Sequence, residues 1–199
     1  MIVLMSAFLL LSAFSCGGGN KANSTSEQDE KTVVNVPQFD ADSAYLYVKN
    51  QVDFGPRVPN TKEHVACGNY LVGKLEAFGA KVTNQYADLI AYDGTLLKAR
   101  NIIGSYKPES KKRIALFAHW DTRPWADNDA DEKNHHTPIL GANDGASGVG
   151  ALLEIARLVN QQQPELGIDI IFLDAEDYGT PQFYEGKHKE EAWCLGSQY

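Results

Sequence analysis

The chain contains little cysteine and less basic than acidic charge, and both shortages exclude classes of protein. Its three cysteines, Cys16, Cys67 and Cys194, form no CxxC pair, which argues against a cysteine-based zinc or redox site. Cys67 and Cys194 could pair in an oxidising compartment, but two buried free thiols are the simpler expectation. Lysine and arginine total 18 against 26 acidic residues, a formal net charge of −8. This balance argues against nucleic-acid binding through a basic surface.

The N-terminal apolar run is too short to cross a bilayer comfortably. Residues 2–14 are almost wholly apolar and have the length of a signal-peptide core. They lead to Ser15 and Cys16, a pattern similar to a bacterial lipoprotein signal in which Cys16 becomes the lipidated first residue. Two features depart from this pattern, since no basic residue precedes the run and Phe14 is bulky for the cleavage region. A simple cleaved signal is the alternative. Both predict export, as a membrane-anchored lipoprotein or a periplasmic protein.

Composition divides the chain into three segments. Residues 1–16 form the predicted lipoprotein signal. Residues 17–36 are rich in small, polar and charged side chains with little to bury, which predicts a flexible tether. Residues 37–199 have the length and apolar content of one folded domain.

Turn and capping signals in the domain predict alternating helices and strands. Asp40 or Asp42 can cap a first helix, and Thr61 can cap a second. The Asp-Gly pair at 93–94 predicts a hairpin. Beyond it, residues 113–118 predict a buried central strand, and a helix and a second buried strand at 168–173 follow. This order indicates an α/β domain with a mixed sheet.

Three short acidic segments lie where strands are expected to end or the following helix to begin. They are His-Trp-Asp at 119–121, Asn-Asp-Gly at 143–145 and Asp-Ala-Glu-Asp at 174–177. Loops converge at the carboxyl ends of strands in an open α/β sheet, and ligands bind there. Carboxylates and a histidine are zinc ligands, so the three segments predict a metal site.

Each segment also has an ordinary explanation. Asp144 could simply cap the helix that follows it. Glu176 and Asp177 could form a solvated loop, although adjacent carboxylates near a sheet interior are costly without a counter-charge such as a divalent metal. His119 could bind zinc while Asp121 orients an imidazole, or both could be ordinary strand-end residues. The three segments together favour the metal site.

In this order, the segments resemble the zinc aminopeptidases of metallopeptidase family twenty-eight and, within that superfamily, the bacterial glutaminyl cyclases. The likeness runs from about Phe39 to Tyr199. It also rests on the stretches at 54–59, 99–104, 118–125, 138–148 and 196–197. The resemblance implies a three-layer α/β fold, with a central mixed, mainly parallel sheet flanked by helices and the C-terminal part missing.

The resemblance also implies roles for particular residues. Asp144 and Asp177 would be zinc ligands, and Glu176 would be the catalytic general acid/base. His119 and Asp121 match the motif that serves a second zinc in the two-metal aminopeptidases. In a cyclase they would support the site instead.

The family's last metal-ligand histidine and a further acidic residue lie downstream of these segments. The resemblance therefore places the third zinc ligand beyond Tyr199, in a chain that we expect to be C-terminally truncated. We expect the remaining histidines of the last half to be solvated; they are His135, His136 and His188.

The activity implied is that of a glutaminyl-peptide cyclotransferase with one zinc ion. It would act on peptides or proteins with an N-terminal Gln, form pyroglutamate and release ammonia. Trp120, Trp125 and Trp193 are candidates for the wall of an apolar pocket, although ordinary packing is the simpler expectation for each of them. A zinc aminopeptidase with two zinc ions is one alternative, and an inactive peptide-binding lipoprotein fragment is another. The sequences following Asp121 and Asp174 favour the cyclase.

Overall fold

The structure is a computed structural model that describes residues 35–199. The predicted signal at 1–16, with the lipidation site Cys16, and nearly all of the predicted tether at 17–36 lie outside the described residues. Residues Val36–Tyr199 form one compact unit. No helix among residues 35–199 has the length and apolar character to cross a membrane.

Four α-helices and four strands form the described part of the chain. In order they are α1 (Ala41–Val52), α2 (Lys62–Ala77), β1 (Lys81–Ile90), β2 (Leu96–Tyr106), β3 (Arg113–His119), α3 (Gly148–Gln161), β4 (Gly167–Leu173) and α4 (Leu195–Gln198). A short kinked segment, Ala142–Ser147, directly precedes α3, and two short 3-10 turns occupy the long loops.

The first two helices begin at the predicted capping residues. The Asp40 carboxylate accepts hydrogen bonds from the backbone N–H groups of Asp42 and Ser43, at 3.0 and 3.1 Å. The Thr61 hydroxyl accepts from the backbone N–H of His64 at 3.2 Å. Each cap satisfies donors that the first helical turn leaves without an intrahelical partner.

The strands form one mixed sheet in the order β1-β2-β4-β3. The predicted hairpin is confirmed, since β1 pairs with β2 in antiparallel register from Lys81 opposite Ser105 to Ile90 opposite Leu96. β2 also pairs with β4 in antiparallel orientation, whereas β3 and β4 are parallel. The mixed sheet is therefore confirmed, but among residues 35–199 only one strand pairing is parallel.

The strand at 113–118 was expected in the buried centre of the sheet, but β3 is an edge strand within the described residues. β4 lies between β2 and β3. Ile114 and Phe117 of β3 are consequently 48% and 59% exposed. The apolar run of β3 predicts a strand correctly, but a local pattern carries no information about which strands become its neighbours.

Helices α1, α2 and α3 share one core with the same face of the sheet. Its fully buried side chains include Leu71 and Leu75 of α2, Leu153 of α3, and Ile170 and Phe172 of β4. Burying a side chain of this size stabilises a fold by about 1.5–3 kcal/mol. The opposite face meets α4 beside β1 and β2, where a smaller cluster forms around Leu97 and Ala99. This packing fixes the carboxyl ends of β3 and β4.

Candidate metal centre

The parallel pairing of β3 and β4 brings two of the three acidic segments to one edge of the sheet. His119 lies opposite Leu173 in the register, and the Trp120 N–H donates to the Leu173 carbonyl at 3.0 Å. The segments that follow β3 and β4 therefore leave the sheet side by side. The second segment, 143–145, joins them through a hydrogen bond between His119 and Asp144.

Asp121 ties the first segment to the third. Its side chain is fully buried, and its two oxygens accept hydrogen bonds from the backbone N–H groups of Glu176 and Asp177, each at 3.1 Å. Its Oδ1 also lies 3.5 Å from Nδ1 of His119. This last distance is too long for a strong hydrogen bond, so Asp121 attracts the imidazole mainly through its charge.

Asp144 is not the cap of the following helix, so that alternative is wrong. The helix α3 begins at Gly148 after Ser147, and Asp144 has an extended backbone with φ −90° and ψ 104°. Its exposed carboxylate meets Nε2 of His119 at 3.0 Å. The side chain is thus directed to the site by the turn before the helix.

That turn requires glycine at position 145. Gly145 has φ +94°, and a Cβ there would lie 2.8 Å from the Asp121 carbonyl and 3.3 Å from Cε1 of His119. Both the left-handed backbone and the close approach exclude a larger residue without displacement. Gly145 thereby allows the segment at 143–145 to approach the one at 119–121.

Asp177 is the side chain that most clearly requires a partner. It is 8% exposed, and its Oδ2 is buried without a hydrogen-bond partner. Burial, followed by the negative charges of Asp144 and Asp121, raises the pKa of Asp177 to about 6, against the opposing charges of His119 and Arg123. A buried carboxylate oxygen without a partner is costly, and a cation would relieve that cost.

His119 is held among carboxylates. Burial alone would lower the pKa of His119, but attraction to Asp121 and then to Glu176 and Asp144 raises it to about 9. Both ring nitrogens face a carboxylate, Nε2 that of Asp144 and Nδ1 that of Asp121. The ring is therefore oriented by these two groups.

Asp144 and Asp177 fit a divalent cation as part of a ligand set. The negative charge of Asp144 contributes to the raised pKa of Asp177, and Asp177 carries a buried oxygen without a partner. Within residues 35–199, however, no group of three or more His, Cys, Asp or Glu side chains is arranged to hold a metal ion. Zinc takes three or four protein ligands, and the third ligand predicted beyond Tyr199 stays a prediction.

Glu176 lies beside these carboxylates on a strained main chain. It is half-buried, its N–H is held by Asp121, and its carbonyl accepts from the Cys194 N–H at 2.9 Å. The preceding Ala175 is fully buried with φ +51°, a left-handed conformation that is unfavourable for alanine. Such strain persists only where surrounding contacts impose it, and it is common at functional sites.

Asp174, the first residue of the third segment, faces away from the site. Its carboxylate contacts Nε2 of His64 at 2.9 Å through both oxygens and accepts from the Arg100 N–H at 2.6 Å. His64 in turn stacks on Trp120 at 4.2 Å between ring centroids. Asp174 therefore anchors the end of β4 inside the fold. No sequence signal indicates this pair, because its members are 110 positions apart.

The three tryptophans proposed for a pocket wall have different positions. Trp120 is fully buried and stacks on His64, and it lines a cavity of about 220 Å³ that Asp144, Glu176 and Asp177 do not border. Trp125 borders a cavity of about 270 Å³ that Asp144 and Arg123 also line. Trp193 stacks on the Arg123 guanidinium at 4.6 Å. Arg123 and its partner Asp127 also border the site, and no motif in the sequence indicates them.

The remaining histidines and cysteines lie apart from the centre or carry ordinary contacts. The rings of the three loop histidines contact the Asp129 carbonyl, the Phe183 ring and the Tyr184 carbonyl; they are His135, His136 and His188 respectively. Cys67 and Cys194 are both free thiols, as expected, although Cys194 is only partly buried. Burial raises the pKa of Cys67 to about 12.

Comparison with known proteins identifies the relatives of this site. Residues 101–199 match peptidase family M28. The chain is 99% identical to a solved Bacteroides thetaiotaomicron glutaminyl cyclase bound to N-acetylhistamine, with a TM-score of 0.82 over 83% of this chain and 56% of that one. The chain is also 99% identical to a solved leucine aminopeptidase precursor from the same organism, with a TM-score of 0.83 over 84% of this chain and 58% of that one.

Among curated proteins, the chain is 37% identical over 115 residues to the uncharacterized protein YfbL of Escherichia coli, which is 58% of this chain and 32% of that protein. The chain thus spans about a third of this relative and a little over half of the two solved structures. The match covers the candidate metal centre, with all three acidic segments inside residues 101–199. Residues 101–199 are therefore part of a peptidase family M28 domain.

Proposed function

We propose that this protein is a zinc-dependent glutaminyl-peptide cyclotransferase. It would convert the N-terminal Gln of peptides and proteins into pyroglutamate and release ammonia. The observation that carries the proposal is the buried, partner-free oxygen of Asp177 beside Asp144 and Glu176. The 99% identity to a solved glutaminyl cyclase supports the choice of reaction.

In this proposal Asp144 and Asp177 would hold one zinc ion together with a ligand that the described residues do not supply. The bound ion would act as a Lewis acid on the γ-carbonyl of the substrate glutamine. Asp121 would keep both Glu176 and Asp177 in place, because its carboxylate binds the backbone N–H of each. His119 would hold Asp144 in orientation through its Nε2.

Glu176 would carry the proton transfers of the reaction. The substrate α-amine attacks the γ-carbonyl carbon, a new C–N bond closes the five-membered ring, and the bond to the γ-amide nitrogen breaks. The Glu176 carboxylate takes a proton from the attacking amine and gives it to the departing nitrogen, which leaves as ammonia. No water takes part, so the partly buried position of Glu176 suits this chemistry.

A zinc aminopeptidase is the second candidate function, because one solved structure with 99% identity is a leucine aminopeptidase precursor. That reaction would use Glu176 to activate water, and a second zinc would require His119 as a ligand. Both nitrogens of the His119 ring instead face the carboxylates of Asp144 and Asp121. Only Nε2 is hydrogen-bonded, to Asp144, which fits the supporting role that the single-zinc proposal gives to His119.

The proposal includes export. Residues 2–14 and Cys16 support a lipoprotein signal, with the mature protein anchored to a membrane through Cys16 and a tether at 17–36. Labelling with a radioactive fatty acid, with Cys16→Ser as the control, tests the anchor. Incorporation that persists in the variant would contradict it.

The activity is tested with two substrates, a Gln-initiated peptide and leucine amide, each with and without zinc. We expect ammonia from the peptide alone, and only with zinc. The Glu176→Gln variant should abolish this release while zinc binding is kept. Glu165→Gln, at an exposed position in the loop before β4, is the matched control and should retain activity. Hydrolysis of leucine amide would favour the aminopeptidase instead.

A further inference from the structure

A buried ion pair lies behind the candidate metal centre. Arg123 and Asp127 are 7% and 4% exposed. The guanidinium donates from Nε and Nη2 to the two Asp127 oxygens, both at 2.6 Å. This is the bidentate geometry in which an arginine and a carboxylate bind most strongly. A pair removed from water this completely is costly to form unless its other polar atoms are also satisfied.

The pair uses its other atoms to bind the main chain that follows the acidic segment at 174–177. Arg123 Nη1 donates to the Asp177 carbonyl at 3.1 Å, and Nη2 lies 3.4 Å from the Thr180 carbonyl. Asp127 Oδ2 accepts from the Gln182 N–H at 2.8 Å. Two side chains from a loop more than fifty positions earlier thus hold residues 177–182 at several points.

The backbone of Asp177 is consequently anchored by a hydrogen bond on each side of its Cα. Its N–H donates to Asp121, and its carbonyl accepts from Arg123. The side chain between these two bonds carries the buried oxygen without a partner. Trp193 closes the arrangement by stacking on the guanidinium at 4.6 Å. The direction of the Asp177 carboxylate is therefore set by its backbone anchors.

We propose that the Arg123–Asp127 pair is a positioning device that fixes the Asp177 carboxylate for metal binding. The inference rests on the proposed function, since it takes Asp177 as a zinc ligand. Neither Arg123 nor Asp127 is required to touch the substrate or the ion. The planar fork of arginine matters here, because a lysine supplies the same charge without the parallel donors that bind Asp127 and the carbonyls together.

The chain offers a matched control pair. Arg113 begins β3 and Asp169 lies near the start of β4, so both are at the end of these strands away from the candidate metal centre. Their side chains are about one-fifth exposed. Arg113 donates to Asp169 through Nε at 2.8 Å and Nη2 at 2.5 Å, and its other donors also reach main-chain carbonyls. Arg113→Lys therefore breaks a comparable fork without touching the candidate metal centre.

The test is the affinity for Zn²⁺ of Arg123→Lys and Arg113→Lys, measured by competition with a chelating dye on the full-length protein with its third zinc ligand. The visible spectrum of the Co²⁺-loaded proteins gives a second readout of ligand geometry. Loss of a residue that orients a metal ligand lowers metal affinity by about ten- to a hundredfold. We expect this loss and an altered Co²⁺ spectrum in Arg123→Lys, and neither change in Arg113→Lys.

Thermal unfolding of both variants separates positioning from general stability. Unchanged zinc affinity in a folded Arg123→Lys would overturn the inference, as would an equal loss in Arg113→Lys. If Arg123→Lys fails to fold, Asp127→Asn, which keeps the side-chain shape, is measured in the same way and is expected to bind zinc more weakly. A wild-type chain that binds zinc without cyclase activity would contradict only the proposed function. A wild-type chain without zinc affinity would overturn the inference.

Discussion

Replacing Asp121 with alanine should weaken the fold and the candidate metal centre together. The Asp121 carboxylate is the acceptor for the N–H groups of both Glu176 and Asp177, at 3.1 Å each. Because its side chain is fully buried, water has no direct route to replace it in the native packing. The substitution therefore leaves two backbone donors without their acceptor next to the proposed zinc ligand.

The magnitude follows from the burial of each donor. The Asp177 N–H is buried, and a buried donor without a partner costs about 1–3 kcal/mol. Glu176 is half-buried, so water can reach its N–H and the net loss is about 0.5–1.5 kcal/mol. Removing the Asp121 charge also relieves its repulsion with Asp177, which opposes the loss. We expect the free energy of unfolding to fall by about 2 kcal/mol.

Urea denaturation with linear extrapolation measures this free energy. Asp88→Ala is the control, since Asp88 pairs with Lys98 on the surface, where both side chains are more than half exposed. Such exposed pairs contribute about 0–1 kcal/mol. The free energy of unfolding of Asp121→Asn should lie between those of Asp121→Ala and Asp88→Ala, because the asparagine amide keeps one acceptor oxygen. An Asp121→Ala variant no less stable than Asp88→Ala would show that the two hydrogen bonds of Asp121 do not stabilise the fold.

Three further predictions concern packing and charge elsewhere. Gly196→Ala should lower the melting temperature, because its Cβ would collide with the Asp174 carbonyl. Gly73→Ala, within α2 and with no atom within 4 Å of the new Cβ, should instead raise stability by about 0.5–1 kcal/mol in urea denaturation. Hydrogen bonds from Arg157 lower the pKa of Glu154 below its ordinary 4.5, so this ion pair stabilises the fold above about pH 4.5 and its contribution is lost as the pH falls further. Thermal melts across this range should show Glu154→Gln destabilised at pH 7 and progressively less so in acid; a deficit independent of pH would contradict the assignment.

The meeting of the acidic segments could be predicted because it depends on a general property of parallel strands. Residues that follow β3 and β4 leave the sheet at the same edge, whatever their identity. The helix starts at Asp40 and Thr61 could also be predicted, because a cap is a hydrogen bond between residues close in sequence. The hairpin between β1 and β2 likewise follows from its Asp-Gly turn.

Features that depend on distant contacts could not be predicted in this way. The position of β4 between β2 and β3 is a matter of tertiary pairing, so β3 was wrongly expected in the centre. Asp174 contacts His64, which lies 110 positions away in the chain. Arg123 binds the carbonyl of Asp177, which lies more than fifty positions away. No periodicity links such residues, and only the folded chain shows that one carboxylate anchors the fold while its neighbours face the site.

Ammonia release from a Gln-initiated peptide is the most direct test of the proposed cyclase activity. The zinc-loaded protein should release one ammonia for each pyroglutamate formed, and Glu176→Gln should bind zinc but release none. Continued release by the Glu176→Gln variant, or peptide left unchanged by a zinc-loaded wild-type protein that hydrolyses leucine amide, would contradict the account.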